Sequence, residues 1–165
     1  AHQLLPTIRS RCIGHTLAWP DAEAAQAWLV STGISGQDAA LLLKATGGRP
    51  EDALAYLESG RNTRDWALFP KAMARGDAGF VKDWSAQQLI DGLHKLCHDM
   101  LAVCTGASPR FFQPGDLLPH AALAPLTAWS RALAKSMRTM DHPFNAGLQQ
   151  EALVAQAQTA LNSTH

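Results

Sequence analysis

The sequence lacks the features of a membrane protein, a strongly basic nucleic-acid binder or a disulfide-bonded protein. No apolar run approaches the roughly 20 residues that span a bilayer, and no charged start precedes an apolar signal segment. Fourteen Lys and Arg residues balance fourteen Asp and Glu residues, so no net charge draws the whole chain toward DNA or anionic lipid. The three cysteines are odd in number and lack paired metal-binding spacing, which favours reduced thiols and a cytoplasmic protein.

Familiar catalytic and nucleotide-binding motifs are also missing from the sequence. It contains no Gly-x-x-x-x-Gly-Lys-Ser/Thr loop, the phosphate-binding motif of many ATPases. His94 and His98 have a spacing that can hold zinc, but Lys95 stands where the metalloprotease motif needs a glutamate. We therefore expect no metal site.

What the sequence does contain is a succession of helical patterns. Helix starts are indicated at Pro20, Ser35, Pro50 and Ser85, and glycines follow several of the helices. The first helix is expected to bury an apolar face made of Ala24, Ala27, Trp28 and Leu29. The longest pattern follows Ser85 and predicts a core helix, and two more helices complete the chain. With 47% apolar residues, the chain can bury a core, and we predict an all-α fold.

The stretch from Leu4 to Cys12 differs from the helical remainder. An apolar turn around Pro6 leads directly into Ser10-Arg11-Cys12. After Cys12 the apolar residues alternate, which predicts a short strand with Ile13, His15, Leu17 and Trp19 on one face. On these residues alone, Arg11 is most often a structural or surface arginine at the start of a strand.

This stretch resembles the end of the AAA+ core in subunits of bacterial sliding-clamp loaders. In that family the arginine of the motif contacts the γ-phosphate of ATP held by the neighbouring subunit, so the resemblance gives Arg11 the role of a trans-acting arginine finger. The three-helix unit with Gly-Gly-Arg-Pro-Glu-Asp-Ala-Leu at residues 47–54 resembles the family's lid domain. His-Pro-Phe-Asn at residues 142–145 resembles the end of its collar domain, through which the subunits assemble.

Glu51 distinguishes between the subunit types of that family. In the ATP-hydrolysing subunits the matching residue is an arginine that touches the nucleotide, whereas a carboxylate here would repel a phosphate. Arg49 lies in a different direction and is not expected to replace it. The resemblance therefore implies the non-hydrolysing delta prime type, with no cofactor bound to this chain and no enzymatic activity of the chain on its own. A gamma/tau ATPase subunit is the alternative within the family, and an unrelated helical adaptor is the alternative outside it.

The resemblance also implies a domain organisation and a set of partners. Residues 1–18 would end an AAA+ core, residues 19–60 would form the lid, and residues 61–165 would form the collar, all within a longer protein. The partners would be the gamma/tau and delta subunits of the DNA polymerase III clamp loader, which would bind the ATP and Mg. DNA would be met only indirectly, through the assembled complex, and no membrane is involved. The partner-binding residues would include Phe144, Leu148 and Leu153.

Overall fold

The chain folds into helices throughout the part that this computed structural model describes, residues 5–13, 15, 18–119, 121–138 and 146–163. The α-helices are α1 Pro6–Arg9, α2 Ala22–Ser31, α3 Gly36–Ala45, α4 Pro50–Glu58, α5 Thr63–Arg75, α6 Ala86–Cys104, α7 Leu123–Arg138 and α8 Ala146–Asn162. Two short 3₁₀ turns, Ala78–Val81 and Pro114–Asp116, lie in the connections. The prediction of an all-α fold is confirmed.

The short strand predicted after Cys12 is wrong for the residues that can be described. Ile13 and Trp19, placed on one face by the alternation, are 99% and 74% exposed. Leu17 lies outside the described residues. A strand needs a neighbour to satisfy its backbone N–H and C=O groups, and no other strand occurs in the described ranges.

Side-chain caps explain where several helices begin. The carboxylate of Asp21 accepts a hydrogen bond from the backbone N–H of Ala24 at 2.7 Å at the start of α2, and Ser35 caps α3 in the same way. At α6, Ser85 and Gln88 form a reciprocal capping box with distances of 2.8 and 3.1 Å. These are the starts that the sequence indicated.

Helices α2, α3 and α4 pack together as a first bundle. Its buried side chains are mostly alanine and leucine: Ala25, Leu29, Ala39, Leu42, Leu43, Ala45, Ala53 and Tyr56. The face of α2 differs from the expected one, because Ala25 and Leu29 are buried whereas Trp28 is 42% exposed. The buried face of α2 is therefore narrow, and the large indole lies at its surface.

Helices α5 to α8 form a second bundle around α6, which packs against both α7 and α8. Four aromatic rings stack inside it. Trp66 lies 4.4 Å from Phe112 between ring centroids, and Phe69 lies 5.1 Å from Trp84. Pro70 lies inside α5.

The two bundles meet where α3 and α4 approach α5. The Thr63 hydroxyl donates to a carboxylate oxygen of Asp38 at 2.7 Å, and the ring of Tyr56 packs edge-on against Trp66. Hydrogen bonds from Ser35 and Thr63 lower the pKa of Asp38. The connection between the bundles is therefore both polar and aromatic.

Candidate functional site

The Ser10-Arg11-Cys12 turn lies at the surface. The backbone N–H groups of Arg11 and Cys12 both donate to the carbonyl of Ile8, and the Ser10 hydroxyl donates to the carbonyl of Thr7 at 3.2 Å. All three motif side chains are exposed. Within the described ranges the Arg11 guanidinium takes part in no hydrogen bond or ion pair. The turn therefore presents an uncommitted cation that another molecule can reach.

Glu51 lies in the first turn of α4 and is exposed. Its neighbour Arg49 is occupied elsewhere, because its Nη1 atom lies 2.9 Å from the Oδ2 atom of Asp52. Arg49 also lines a cleft that opens toward the second bundle. The Arg49 guanidinium is therefore paired within α4 and its N-terminal cap.

Of the three predicted partner-binding residues, Leu148 and Leu153 do not share an exposed surface. Phe144 lies outside the described residues. Leu148 is 65% exposed at the start of α8, whereas Leu153 is 3% exposed and belongs to the core. The burial of Leu153 corrects the prediction that its side chain contacts a partner: in this chain it packs internally, because it faces the other helices of the second bundle.

An apolar groove of about 490 Å³ runs between α7 and α8. Small or apolar side chains supply most of its walls: Pro125, Ala128, Trp129, Ala132, Ala155 and Ala160. Ala128 and Ala155 are exposed, so the walls remain accessible along the helices. Small residues of this kind allow the backbone of another helix to approach closely.

A second cleft, of about 290 Å³, lies between the two bundles and is polar. Arg49, Arg61 and Lys95 contribute positive charge to its lining, and Asp52 and Asp91 contribute negative charge. Lys95 is paired with Asp91, because its Nζ atom lies 2.7 Å from the Oδ2 atom of that residue. Sequence reasoning did not identify this cleft, since its residues come from α4 and the loop before it, the inter-bundle linker, α5 and α6.

Aromatic rings hold Arg61 in that cleft. Its guanidinium carbon lies 4.1 Å from the ring centroid of Tyr56 and 5.1 Å from that of Trp84. Burial lowers the pKa of Arg61, and burial raises the pKa of Tyr56 to about 12. Arg61 therefore remains charged at neutral pH while partly removed from water.

Asp99 is a further residue that the sequence reasoning missed. It is completely buried, and its carboxylate accepts hydrogen bonds from the backbone N–H groups of Arg110, Phe111 and Phe112 at 2.7 to 2.8 Å. These bonds fix the loop after α6 and place Phe112 in the core. The sequence signal for Asp99 was its position among the buried residues of α6, where a charged side chain is unusual. Its role here is structural, because backbone groups occupy its acceptors.

The described part of the chain contains no cluster of three or more metal-ligating side chains. His98 Nδ1 lies 2.9 Å from a carboxylate oxygen of Asp99. Burial raises the pKa of the Cys97 thiol to about 11, which keeps it protonated and poorly nucleophilic at neutral pH. None of the helices within the described ranges has the length and apolar character needed to cross a membrane.

Comparison with known proteins adds no relative to this description. No protein-family model matches the chain, and a search of curated proteins finds no match.

Proposed function

We propose that the chain is the C-terminal part of a non-hydrolysing, delta prime-type subunit of a bacterial sliding-clamp loader, acting in DNA replication in the cytoplasm. The observation that carries the proposal is the order of parts. An exposed Ser10-Arg11-Cys12 turn precedes a small three-helix bundle, and a larger helical bundle follows. The end of an AAA+ core, a lid and a collar would occur in the same order.

Arg11 would contact ATP bound by a neighbouring subunit. Its exposure and its lack of a partner within the described ranges support this role, because an arginine finger must be free to reach across a subunit boundary. A planar guanidinium donates two parallel hydrogen bonds to phosphate oxygens, which a lysine cannot do. In phosphoryl transfer such a finger is worth roughly 10³ to 10⁵ in rate at the site it serves.

The chain itself would not hydrolyse ATP. A carboxylate, Glu51, occupies the exposed first turn of α4, and Arg49 is paired with Asp52. Both observations favour the delta prime type over the ATP-hydrolysing gamma/tau type. ATP and Mg would then be bound by partner subunits, with no cofactor held by this chain.

The second bundle would supply the contacts for assembly with the gamma/tau and delta subunits. The groove between α7 and α8 is apolar and open, and its small residues would let a helix of another subunit approach closely. Leu148, exposed at the start of α8, would extend the same surface. DNA would be met only through the assembled loader.

Co-purification with gamma/tau and delta tests the proposal. Ala128→Glu places a charge on the wall of the groove and should abolish assembly of the full-length subunit. Ala134→Glu is the matched control, because Ala134 is also an exposed alanine of α7 but does not line the groove. Replacing residues 19–60 by a flexible linker should leave binding largely intact.

Three results would count against the assignment. Normal assembly of a folded Ala128→Glu subunit would remove the groove from the interface. Equal loss with Ala134→Glu would show that added charge, and not the groove, was responsible. Failure of the unmodified subunit to bind gamma/tau or delta would favour the unrelated helical adaptor.

A further inference from the structure

The cleft between the two bundles contains a cation, Arg61, that the charge of Asp91 influences but that forms no direct ion pair within the described residues. Arg49 is paired with Asp52, and Lys95 is paired with Asp91. Arg61 has no ion pair within the described ranges, although it is partly buried. The lining as a whole carries one more positive than negative charge, and the excess resides on Arg61.

The contacts of Arg61 fix its orientation. Its Nε–H donates to the Ser59 hydroxyl at 2.8 Å, and its guanidinium stacks over Tyr56 with Trp84 nearby. No hydrogen bond of the described residues uses its two terminal nitrogens. Stacking of this kind restricts the side chain before any ligand binds, so less conformational entropy is lost on binding.

A guanidinium held in this way suits an oxyanion. Its fork of N–H donors matches the two oxygens of a carboxylate or phosphate group, and partial burial strengthens charge-assisted hydrogen bonds. The volume of about 290 Å³ lies near the lower end of the range for small-molecule pockets. The paired cations Arg49 and Lys95 flank the position that such a group would occupy.

We propose that this cleft is a binding site for a small molecule that carries a phosphate or carboxylate group, with Arg61 as the principal contact. The site lies between the bundles and away from the Ser10-Arg11-Cys12 turn in sequence. It does not depend on the proposed function, since its residues and charges stand without any clamp-loader assignment.

An NMR titration of the ¹⁵N-labelled chain tests the site directly. Sodium phosphate and sodium acetate are added separately, with sodium chloride as the reference at matched ionic strength. Phosphate or acetate should shift the Arg61 Nε–H signal and the indole signals of Trp66 and Trp84 in a saturable way, and chloride should not. Tighter binding of phosphate would identify a phosphorylated ligand, and tighter binding of acetate a carboxylated one.

Three variants separate a specific site from general attraction of anions. Arg61→Gln should weaken binding about tenfold or more, because it removes charge-assisted hydrogen bonds. Arg64→Gln should leave binding unchanged, since Arg64 is exposed and does not line the cleft. Asp91→Asn should strengthen binding, because it removes a repelling carboxylate and frees Lys95.

Each outcome either supports or overturns the proposed anion site at Arg61. The proposal is overturned if neither anion gives saturable shifts, if Arg64→Gln weakens binding as much as Arg61→Gln, or if Asp91→Asn weakens it. Arg61→Lys keeps the charge without the fork and should also bind weakly. Should Arg61→Gln fail to fold, the exposed Asp91→Asn change and Arg61→Lys still decide the matter.

Discussion

The two bundles differ in what holds them together. The first, α2 to α4, buries mainly alanine and leucine side chains, and its one buried aromatic residue, Tyr56, faces the second bundle. The second, α5 to α8, has a stacked aromatic core and a helix, α6, that packs against both α7 and α8. Larger buried side chains remove more apolar area from water. The comparison indicates that the second bundle is self-supporting and that the first depends on it.

Separating the bundles should have the largest effect. We expect residues 61–165 to remain helical and to unfold cooperatively, whereas residues 19–60 alone should be largely unfolded, because a segment of about forty residues buries too little surface. Circular dichroism during urea unfolding of each piece provides the measurement. A cooperative transition in residues 19–60 alone would refute the dependence.

Removing the buried carboxylate of the second bundle should have the next largest effect. Asp99→Ala leaves three backbone N–H groups without an acceptor and should lower the free energy of unfolding by about 3 kcal/mol. Asp83→Ala is the control, since Asp83 is exposed and should change stability little. Urea unfolding distinguishes them, and equal stability of both variants would contradict the anchoring role of Asp99.

Tyr56 connects the first bundle to the second, and ionisation of its phenol at high pH should lower the stability of the folded chain. Burial raises its pKa to about 12 in the folded chain, above the value of about 10 in an unfolded one. Folding therefore favours the neutral phenol, which contributes about 2 to 3 kcal/mol to the free energy of unfolding. This contribution is fully present below pH 10 and is lost as the pH rises toward 12.

The chain has a single tyrosine, so its ultraviolet absorbance reports this titration alone. Tyr56→Phe is the matched control and should remove that part of the pH dependence of stability. A midpoint near pH 10 in the folded chain would show that the ring is not buried as described.

Removing helix caps should change stability least. These substitutions should also show whether one bundle can unfold locally while the other stays folded. Ser85→Ala removes the capping box of α6 and should lower global stability by about 1 kcal/mol. Ser35→Ala should instead speed hydrogen exchange in α2 to α4 while leaving α6 protected. Equal loss of protection in α6 from both variants would show that the bundles unfold as one unit.

Helix positions were predictable from the sequence because their signals are local. Ser35 and Ser85 cap helices, and glycines follow α3 and α4, as expected. The predicted strand through Ile13 and Trp19 failed because strand formation requires a partner, and alternation within one segment cannot show whether a partner exists.

The polar cleft and the Asp99 anchor were not predictable in this way. Arg61 and Tyr56 are close in sequence, but Trp84 and Lys95 reach them only through the packing of the two bundles. Similarly, the loop that Asp99 holds begins eleven residues later. Leu148 and Leu153 lie on one helix with similar side chains, and only the packing of α8 shows that one is exposed and the other buried.

The exposed Ser10-Arg11-Cys12 turn precedes both bundles and carries the proposed arginine finger. If Arg11 is a trans-acting arginine finger, Arg11→Ala in the full-length subunit should slow ATP turnover by the assembled loader without loosening assembly. Arg11→Lys should also fail, because it loses the planar fork. Arg9→Ala, two residues away, serves as the control.

The most direct measurement is the steady-state rate of ATP hydrolysis by the reconstituted loader at saturating DNA, with subunit stoichiometry checked in parallel. The account predicts slower turnover with Arg11→Ala and Arg11→Lys, normal turnover with Arg9→Ala, and normal stoichiometry in all three. A fully assembled Arg11→Ala loader that hydrolyses ATP and loads clamps at the normal rate would contradict it.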